Sequence, residues 1–223
     1  MEAIHKFIEN CMPSDTYATV HIRESSIIDP QPGYTYTPGS MMWINHSRAY
    51  QFTLNHLLPQ LRPGGPRHVA TIERLIKGIH EHLMQNVEPF YTRNPLEIGD
   101  YRQSRVFIGN REGTSPYVLK TAMNGFITSL VKDLDRVYSE DLSERELIAF
   151  ALFHHNTFEY IHPFVDGNGR TGRLLYMAIA MAVGVNAPPH ILSAHRYSYY
   201  DLIEGDTSAR NKEGPFISSS YFG

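Results

Sequence analysis

Cysteine is almost absent from this sequence, since Cys11 is the single one among 223 residues. One cysteine cannot form a disulfide within the chain or supply a cysteine-based zinc site, so we expect a protein of a reducing compartment. No stretch approaches the roughly 18 consecutive apolar residues that span a bilayer. The first residues also lack the basic and apolar regions of a secretory signal. These absences predict a cytoplasmic protein with no membrane partner, and they leave delivery into a host cell open.

An excess of charge of either sign is also absent. The 20 Lys and Arg residues stand against 23 Asp and Glu residues, which gives a formal net charge of −3. Because nucleic-acid binding draws on excess positive charge, no nucleic-acid partner is expected. Hydrophobic residues make up 42% and charged residues 19%, which is ordinary for a globular protein. Histidine is abundant, at 12 residues, and most of these have ordinary structural explanations.

Composition divides the chain into three parts. The first is rich in Pro, Ser, Thr and Tyr, and we expect it to be an irregular extension with short strands and one helix. The second is expected to be a mainly α-helical core, and the third is a polar tail. The predicted parts are residues 1–65, 66–205 and 206–223; within the first, the strands are Tyr17–Ile22 and Met41–Ile44 and the helix is Ser47–Leu61.

Apolar residues that recur every three or four positions predict four helices in the core. They cover approximately residues 66–83, 119–134, 143–161 and 170–183. Ser143 with Glu146 three residues later has the spacing of a capping box, which favours a helix start there. Residues 105–118 indicate a small hairpin, with strands at Arg105–Gly109 and Pro116–Val118.

Chemistry-bearing residues concentrate between the third and fourth predicted helices. Gly167, Asn168 and Gly169 directly precede a helix. In such an arrangement, backbone N–H groups and the helix dipole can hold a phosphate. Arg170 and Arg173 share one face of the first helical turn, so both would flank the same anion.

Two further groups accompany this phosphate cradle. Asp166 would supply the oxygen ligand that Mg²⁺ prefers, and His162 can accept a proton near neutral pH. Taken alone, each group has a plainer explanation, as a turn, a solvated helix face, a helix cap or a partner of the helix dipole. Their occurrence together in His162–Arg173 favours a site that transfers part of a nucleotide.

The same segment resembles the signature of the Fic family, His-x-Phe-x-(Asp/Glu)-Gly-Asn-Gly-Arg-x-x-Arg, at every fixed position. The matching residues are His162, Phe164, Asp166, Gly167, Asn168, Gly169, Arg170 and Arg173. The similarity extends over approximately residues 66–205. It implies a Fic-type helical core with the motif on a helix–loop–helix. It also implies an adenylyltransferase that moves AMP from ATP, with Mg²⁺, to a Ser, Thr or Tyr hydroxyl of a target protein.

The resemblance further implies a role for each position. His162 would deprotonate the target hydroxyl, and Asp166 would hold Mg²⁺. Phosphate oxygens would be held by Gly167, Asn168, Gly169, Arg170 and Arg173, and Phe164 would anchor the loop in the core. The hairpin over residues 105–118 is similar to the flap on which the family aligns its target. Tyr199 and Tyr200 would border the adenine.

Many members of the family carry an inhibitory Ser/Thr-x-x-x-Glu-(Gly/Asn) motif, whose Glu pairs with the second motif arginine. The positions four residues before each Glu-Gly or Glu-Asn pair are His5, Ile108, Tyr200 and Ala209. None is Ser or Thr, so we hypothesise that this motif does not block Arg173 from within the chain. Restraint by a separate antitoxin-like partner, as for a toxin, or by residues 1–65 stays open, as does a homodimer.

Three other interpretations stay open. One is a Fic-fold enzyme that transfers another phosphate-containing group, and one is a non-catalytic nucleotide-binding module. The third is a metal-dependent hydrolase built on His155, Glu159, His162 and Asp166. This third set lacks the His-Glu-x-x-His spacing. A P-loop NTPase is excluded because Gly-x4-Gly-Lys-(Ser/Thr) is absent. Residues His80-Glu81-His82 are interpreted as an exposed helix face.

Overall fold

The computed structural model describes residues 16–28, 40–87, 97–108 and 111–191, and it confirms a mainly α-helical protein with a small hairpin. The helices are α1 (Thr16–Ile28), α2 (Met41–Phe52), α3 (Leu58–Leu61), α4 (Val69–Met84), α5 (Leu119–Val137), α6 (Glu144–Ile161) and α7 (Asn168–Ala182). A π-helical segment, Thr53–Leu57, joins α2 to α3, and a 3₁₀ turn, Pro116–Val118, precedes α5. The strands β1 (Phe107–Ile108) and β2 (Arg111–Glu112) pair in antiparallel fashion.

Helix α7 is the central element of the core. All its residues from Arg170 to Ala180 are buried, so it has no solvent-facing stripe. Helices α1, α3, α4 and α6 pack around it. The Gly-Asn-Gly-Arg segment forms the start of this helix. The residues predicted to carry the chemistry therefore lie at one end of the most buried helix. In the described part of the chain, no helix combines the length and apolar character needed to cross a bilayer.

Gly172 lets α7 lie directly against α6. A Cβ atom at this position would overlap Glu159 Oε1 and would lie 3.1 Å from His155 Cε1. Both side chains are buried, and His155 Nδ1 lies 4.0 Å from Glu159 Oε1. The α6–α7 contact therefore depends on the missing side chain of Gly172.

The four helices predicted for the core are present, with ends shifted by a few residues. The capping box at the start of α6 is confirmed, because Ser143 Oγ accepts from Glu146 N and Glu146 Oε2 accepts from Ser143 N at 2.9 Å. Helix α6 ends where His162 takes up a left-handed conformation with φ of 53°. Pro163 follows directly and cannot continue a helix.

The strands predicted at Tyr17–Ile22 and Met41–Ile44 are wrong, because both segments lie in helices. Ala18 and Ile22 are fully buried and lie one helical turn apart, so tertiary packing overrides their strand-like composition. Helix α2 starts after Ser40, whose side chain accepts from Trp43 N. The helix predicted for Ser47–Leu61 is present but begins earlier and includes a π-helical turn. The described residues before 66 therefore belong to the packed body.

The hairpin is confirmed, but its second strand was predicted in the wrong place. The pairs are Phe107 with Glu112 and Ile108 with Arg111, so the chain turns sooner than the sequence indicated. Pro116 cannot donate to a strand ladder, and its segment forms the 3₁₀ turn instead. The hairpin is thus only two residue pairs long in the described chain.

We expect Gly172→Ala to lower the free energy of unfolding by about 1–3 kcal/mol, because the new methyl group overpacks the α6–α7 contact. Urea titration measures this loss. Gly125→Ala is the matched control, since Gly125 is exposed within α5 and a Cβ there meets nothing within 4 Å. It should stabilise by about 0.4–1 kcal/mol. Equal effects of the two substitutions would contradict the close packing at Gly172.

Candidate functional site

The loop that joins α6 to α7 is closed by the side chain of Asn168. Its Oδ1 accepts from Phe164 N at 2.9 Å, and its Nδ2 donates to Phe164 O at 2.8 Å. Thr171 Oγ1 adds a bond to Gly167 O at 2.8 Å. The Asn168 amide is thus committed to closing the loop, while its backbone N–H lies at the start of α7.

His80 supports this loop from α4. Its Nδ1 accepts from Gly99 N at 3.0 Å, so its Nε2 carries the proton and donates to Asp166 O at 3.0 Å. The ring also stacks on Phe164 with centroids 3.9 Å apart. Burial lowers the pKa of His80 to about 3, and the nearby charge of Arg170 acts in the same direction. The ring is therefore neutral near pH 7.

The expectation that His80 lies on an exposed helix face is wrong, since the residue is fully buried. A signal for its position was present in the sequence. His80 follows Ile76 by four residues and Ile79 by one, so it falls on the apolar stripe of α4. Because histidine is polar, an exposed position was predicted for it despite this place on the apolar face.

Gly167 forms the sharp corner before α7. Its φ is +75°, and a Cβ atom would lie 2.8 Å from Met84 Sδ, so a side chain would be strained and crowded there. Helix α7 begins without a side-chain cap. The first N–H groups of a helix have no partner inside the helix, and the helix dipole adds positive potential at that end. The start of α7 can therefore hold an anion.

Asp166 and Arg170 stand beside this helix end. Asp166 Oδ1 accepts from Gly167 N at 2.6 Å, and Oδ2 lies 3.7 Å from Arg170 Nη2. The carboxylate is partly exposed, whereas Arg170 is buried and also reaches Met84 Sδ. No group of three or more His, Cys, Asp and Glu residues in the described chain could hold a metal ion. One exposed carboxylate still fits Mg²⁺, which commonly combines one or two carboxylates with phosphate and water oxygens.

His162 lies at the first position of the loop, four residues before Asp166. Its backbone N–H donates to Phe158 O at 3.0 Å, which completes α6. Its carbonyl oxygen accepts from Arg102 Nε at 2.8 Å, and its side chain is partly exposed. Hydrogen bonds at both the N–H and the carbonyl of His162 therefore fix the backbone that carries the imidazole.

Arg173 differs from the other predicted residues, because it is buried against α1. Its Nε donates to Ser25 Oγ at 2.9 Å, and its Nη2 donates to Ser25 O at 2.8 Å. The inhibitory sequence motif is absent, yet the chain still engages this arginine from within. The role of Arg173 as a phosphate ligand stays a prediction. In this conformation, its guanidinium is held by α1.

Among the described residues, the structure thus brings together most of the predicted site and sets Arg173 apart. His162, Asp166 and the start of α7 lie on one loop, whereas Arg173 faces α1. Tyr199 and Tyr200 lie outside the described residues. The alternative metal set is divided as well, because His155 and Glu159 are buried under α7 at Gly172.

The chain is similar to known proteins of one family. The sequence profile of the Fic/DOC family matches residues 70–180. Among curated proteins, the Protein adenylyltransferase Fic of Nematostella vectensis is 37% identical over 134 residues, which cover 60% of this chain and 28% of that protein. The protein of the same name from Aedes aegypti is 32% identical over 127 residues, which cover 56% of this chain and 22% of that protein. The match therefore spans about a quarter of the length of these relatives.

Solved structures show the same fold at lower sequence identity. Fic-1 (residues 134–508) from C. elegans superposes with a TM-score of 0.63 at 19% identity, over 92% of this chain and 62% of that one. A Fic domain containing signalling protein from Bacteroides thetaiotaomicron gives a TM-score of 0.57 at 15% identity, over 91% of this chain and 80% of that one. At these identities, the likeness concerns the fold.

We expect the free energy of unfolding to fall as the pH is lowered from 7 to 5. Burial holds the pKa of His21 and His80 at about 3. In the unfolded chain these histidines take up protons near pH 6.5. The unfolded state therefore binds more protons between about pH 3 and 6.5, so stability rises with pH across that window, by up to about 1.4 kcal/mol per pH unit for each histidine.

Urea titrations at pH 7 and pH 5 measure the effect. His80→Gln should reduce the difference between the two pH values, because one buried histidine is removed. Ile79→Val is the control, since it removes a buried methyl group from the neighbouring position and should lower stability equally at both pH values. Stability that is equal at pH 5 and pH 7 would contradict the prediction.

Proposed function

The chain belongs to the Fic/DOC family, and from this premise we propose that it is a protein adenylyltransferase, which moves AMP from ATP to a Ser, Thr or Tyr hydroxyl of a target protein. One observation carries the proposal. A partly exposed histidine and a partly exposed aspartate stand on one closed loop, at an uncapped helix start with a buried arginine beside it. The names of the curated relatives support ATP as the source of the transferred group.

The triphosphate binds at the start of α7 in this proposal. The backbone N–H groups of Asn168, Gly169 and Arg170 donate hydrogen bonds to phosphate oxygens, and the positive end of the helix dipole favours the negative charge there. The guanidinium of Arg170 adds a buried positive charge that needs no reorganisation, since Met84 and Asp166 already hold it in place. Asp166 would hold Mg²⁺, which neutralises phosphate charge when it is bound.

His162 acts as the general base. It removes the proton from the target hydroxyl while the hydroxyl oxygen bonds to the α-phosphorus, and the bond from that phosphorus to pyrophosphate breaks. The products are the adenylylated target and pyrophosphate, and the proton remains on His162 until solvent takes it. Transfer of this kind depends mainly on positioning and charge neutralisation, which the held loop supplies.

The target docks on the hairpin. Neither strand pairs with a further strand among the residues that the structure describes, and Phe107 is 73% exposed beside them. An extended target segment could add to such an edge through main-chain hydrogen bonds, with Phe107 as an apolar contact.

Arg173 joins the site only after it leaves Ser25. Its two bonds to Ser25 compete with any phosphate for the same donors. Helix α1 is therefore a restraint on the nucleotide site in the conformation described.

We expect Ser25→Ala to raise the affinity for ATP with Mg²⁺ by about three- to tenfold, because one charge-assisted bond that holds Arg173 is removed. Isothermal titration calorimetry measures the affinity. Ser129→Ala is the control, since Ser129 is exposed on α5 and bonds only locally to Asp133. An unchanged affinity in Ser25→Ala would show that Ser25 does not compete with the nucleotide.

The proposed reaction is tested by incubating the protein with a cell lysate and ATP that is labelled at either the α- or the γ-phosphate. We expect protein-bound label from α-labelled ATP alone, and its loss by about a hundredfold or more in His162→Ala. His68→Ala is the control, because His68 is exposed before α4, about 18 Å along the helix from His80. Label from γ-labelled ATP would indicate phosphoryl transfer instead. Nucleotide binding without transfer would indicate a binding module.

A further inference from the structure

Arg102 is a buried arginine whose side chain is engaged by backbone alone among the hydrogen bonds described. It is 1% exposed. Its Nε donates to His162 O at 2.8 Å, its Nη1 donates to Ser104 O at 2.8 Å, and its Nη2 donates to Thr114 O. Removing such a charged group from water is costly unless its donors are matched, so this position is built around the planar guanidinium.

Two of these acceptors frame the hairpin. Ser104 precedes β1 and Thr114 follows β2, so the guanidinium spans the open end of the hairpin. Among its described residues, the hairpin has two residue pairs and one further backbone bond, from Gly113 N to Val106 O at 2.9 Å. A two-stranded hairpin of this size is not stable alone in water. Its position therefore depends on its attachments, and Arg102 provides one at the base.

The third acceptor belongs to the proposed base. His162 is in the left-handed region, which L-residues adopt at a cost, and its carbonyl is held by Arg102 Nε. The backbone N–H of Arg102 donates to the next carbonyl, Pro163 O, at 3.0 Å. One residue thus holds the backbone of His162 and both ends of the hairpin.

We propose that Arg102 is a positioning residue that sets the distance and orientation between the hairpin and His162, and so determines where a docked hydroxyl meets the base. This inference rests on the proposed function. A misplacement of about 1 Å between reacting groups can lower a rate by about a hundredfold. The nucleotide binds elsewhere, at the start of α7, so the position of the hairpin affects transfer without affecting nucleotide affinity.

Arg102→Lys tests the proposal. Lysine keeps the positive charge but cannot reach three carbonyls in one plane. We expect transfer of α-label to lysate proteins to slow by about tenfold or more, while the affinity for ATP with Mg²⁺ stays within about threefold of the wild type. Arg136→Lys is the matched control, since Arg136 is exposed near the end of α5 and pairs with Glu140, outside the hairpin and the motif, and it should leave both quantities near wild type.

Gly113→Ala disturbs the contact between Arg102 and the hairpin without removing the arginine. A Cβ atom there would lie 3.1 Å from Arg102 Nη2 and 3.0 Å from Val106 Cγ2, so it presses on the guanidinium and on the side chain that precedes β1. We expect slower transfer with unchanged nucleotide affinity in this variant too. If Arg102→Lys fails to fold, Gly113→Ala alone decides the proposal.

Hydrogen–deuterium exchange keeps this inference separate from the proposed function, because it needs no activity. Both variants should exchange faster in peptides that span the hairpin and His162, while α7 keeps its protection. A wild type that transfers no label overturns the proposed function, and the exchange result still decides whether Arg102 links the two elements. Unchanged transfer, a parallel loss of ATP affinity, or unchanged hairpin protection would each overturn the role of Arg102.

Discussion

The paired hydrogen bonds between the Asn168 side chain and the Phe164 backbone are the constraint on which the candidate site depends. They close the loop between α6 and α7 through a buried amide. In the closed loop, Asp166 accepts from Gly167 N, and Gly167 has a positive φ. These contacts form without a ligand, which favours catalysis by preorganised charge.

Two elements outside the loop support its backbone, and a third holds Arg173 of α7; each of the three uses a buried polar group. Helix α4 contributes neutral His80 beneath Asp166, the segment before the hairpin contributes Arg102 beneath His162, and helix α1 contributes Ser25 beside Arg173. A buried polar group without a partner destabilises a fold, so these contacts also tie the elements together. Support for the reactive loop and restraint on its second arginine thus come from different parts of the chain.

Local sequence patterns predicted those helices whose start signals and apolar periodicity lie within their own residues. The capping box at Ser143 and the periodic apolar residues of α4, α5 and α6 needed no tertiary information. The segments Tyr17–Ile22 of α1 and Met41–Ile44 of α2 were predicted as strands because β-branched and aromatic residues favour strands in isolation. Their helical state follows from packing against the core, as the complete burial of Ala18 and Ile22 shows.

The sequence by itself determined the helical class and the chemistry of the motif, because both are encoded in residues that are near one another in the chain. His162, Asp166 and the Gly-Asn-Gly-Arg segment act over a dozen consecutive positions, so spacing alone brings them together. Only the tertiary structure determined which distant side chains contact and support these residues. His80, Arg102 and Ser25 are separated from their partners by 86, 60 and 148 positions. No local periodicity encodes such contacts, because they arise only when the helices pack.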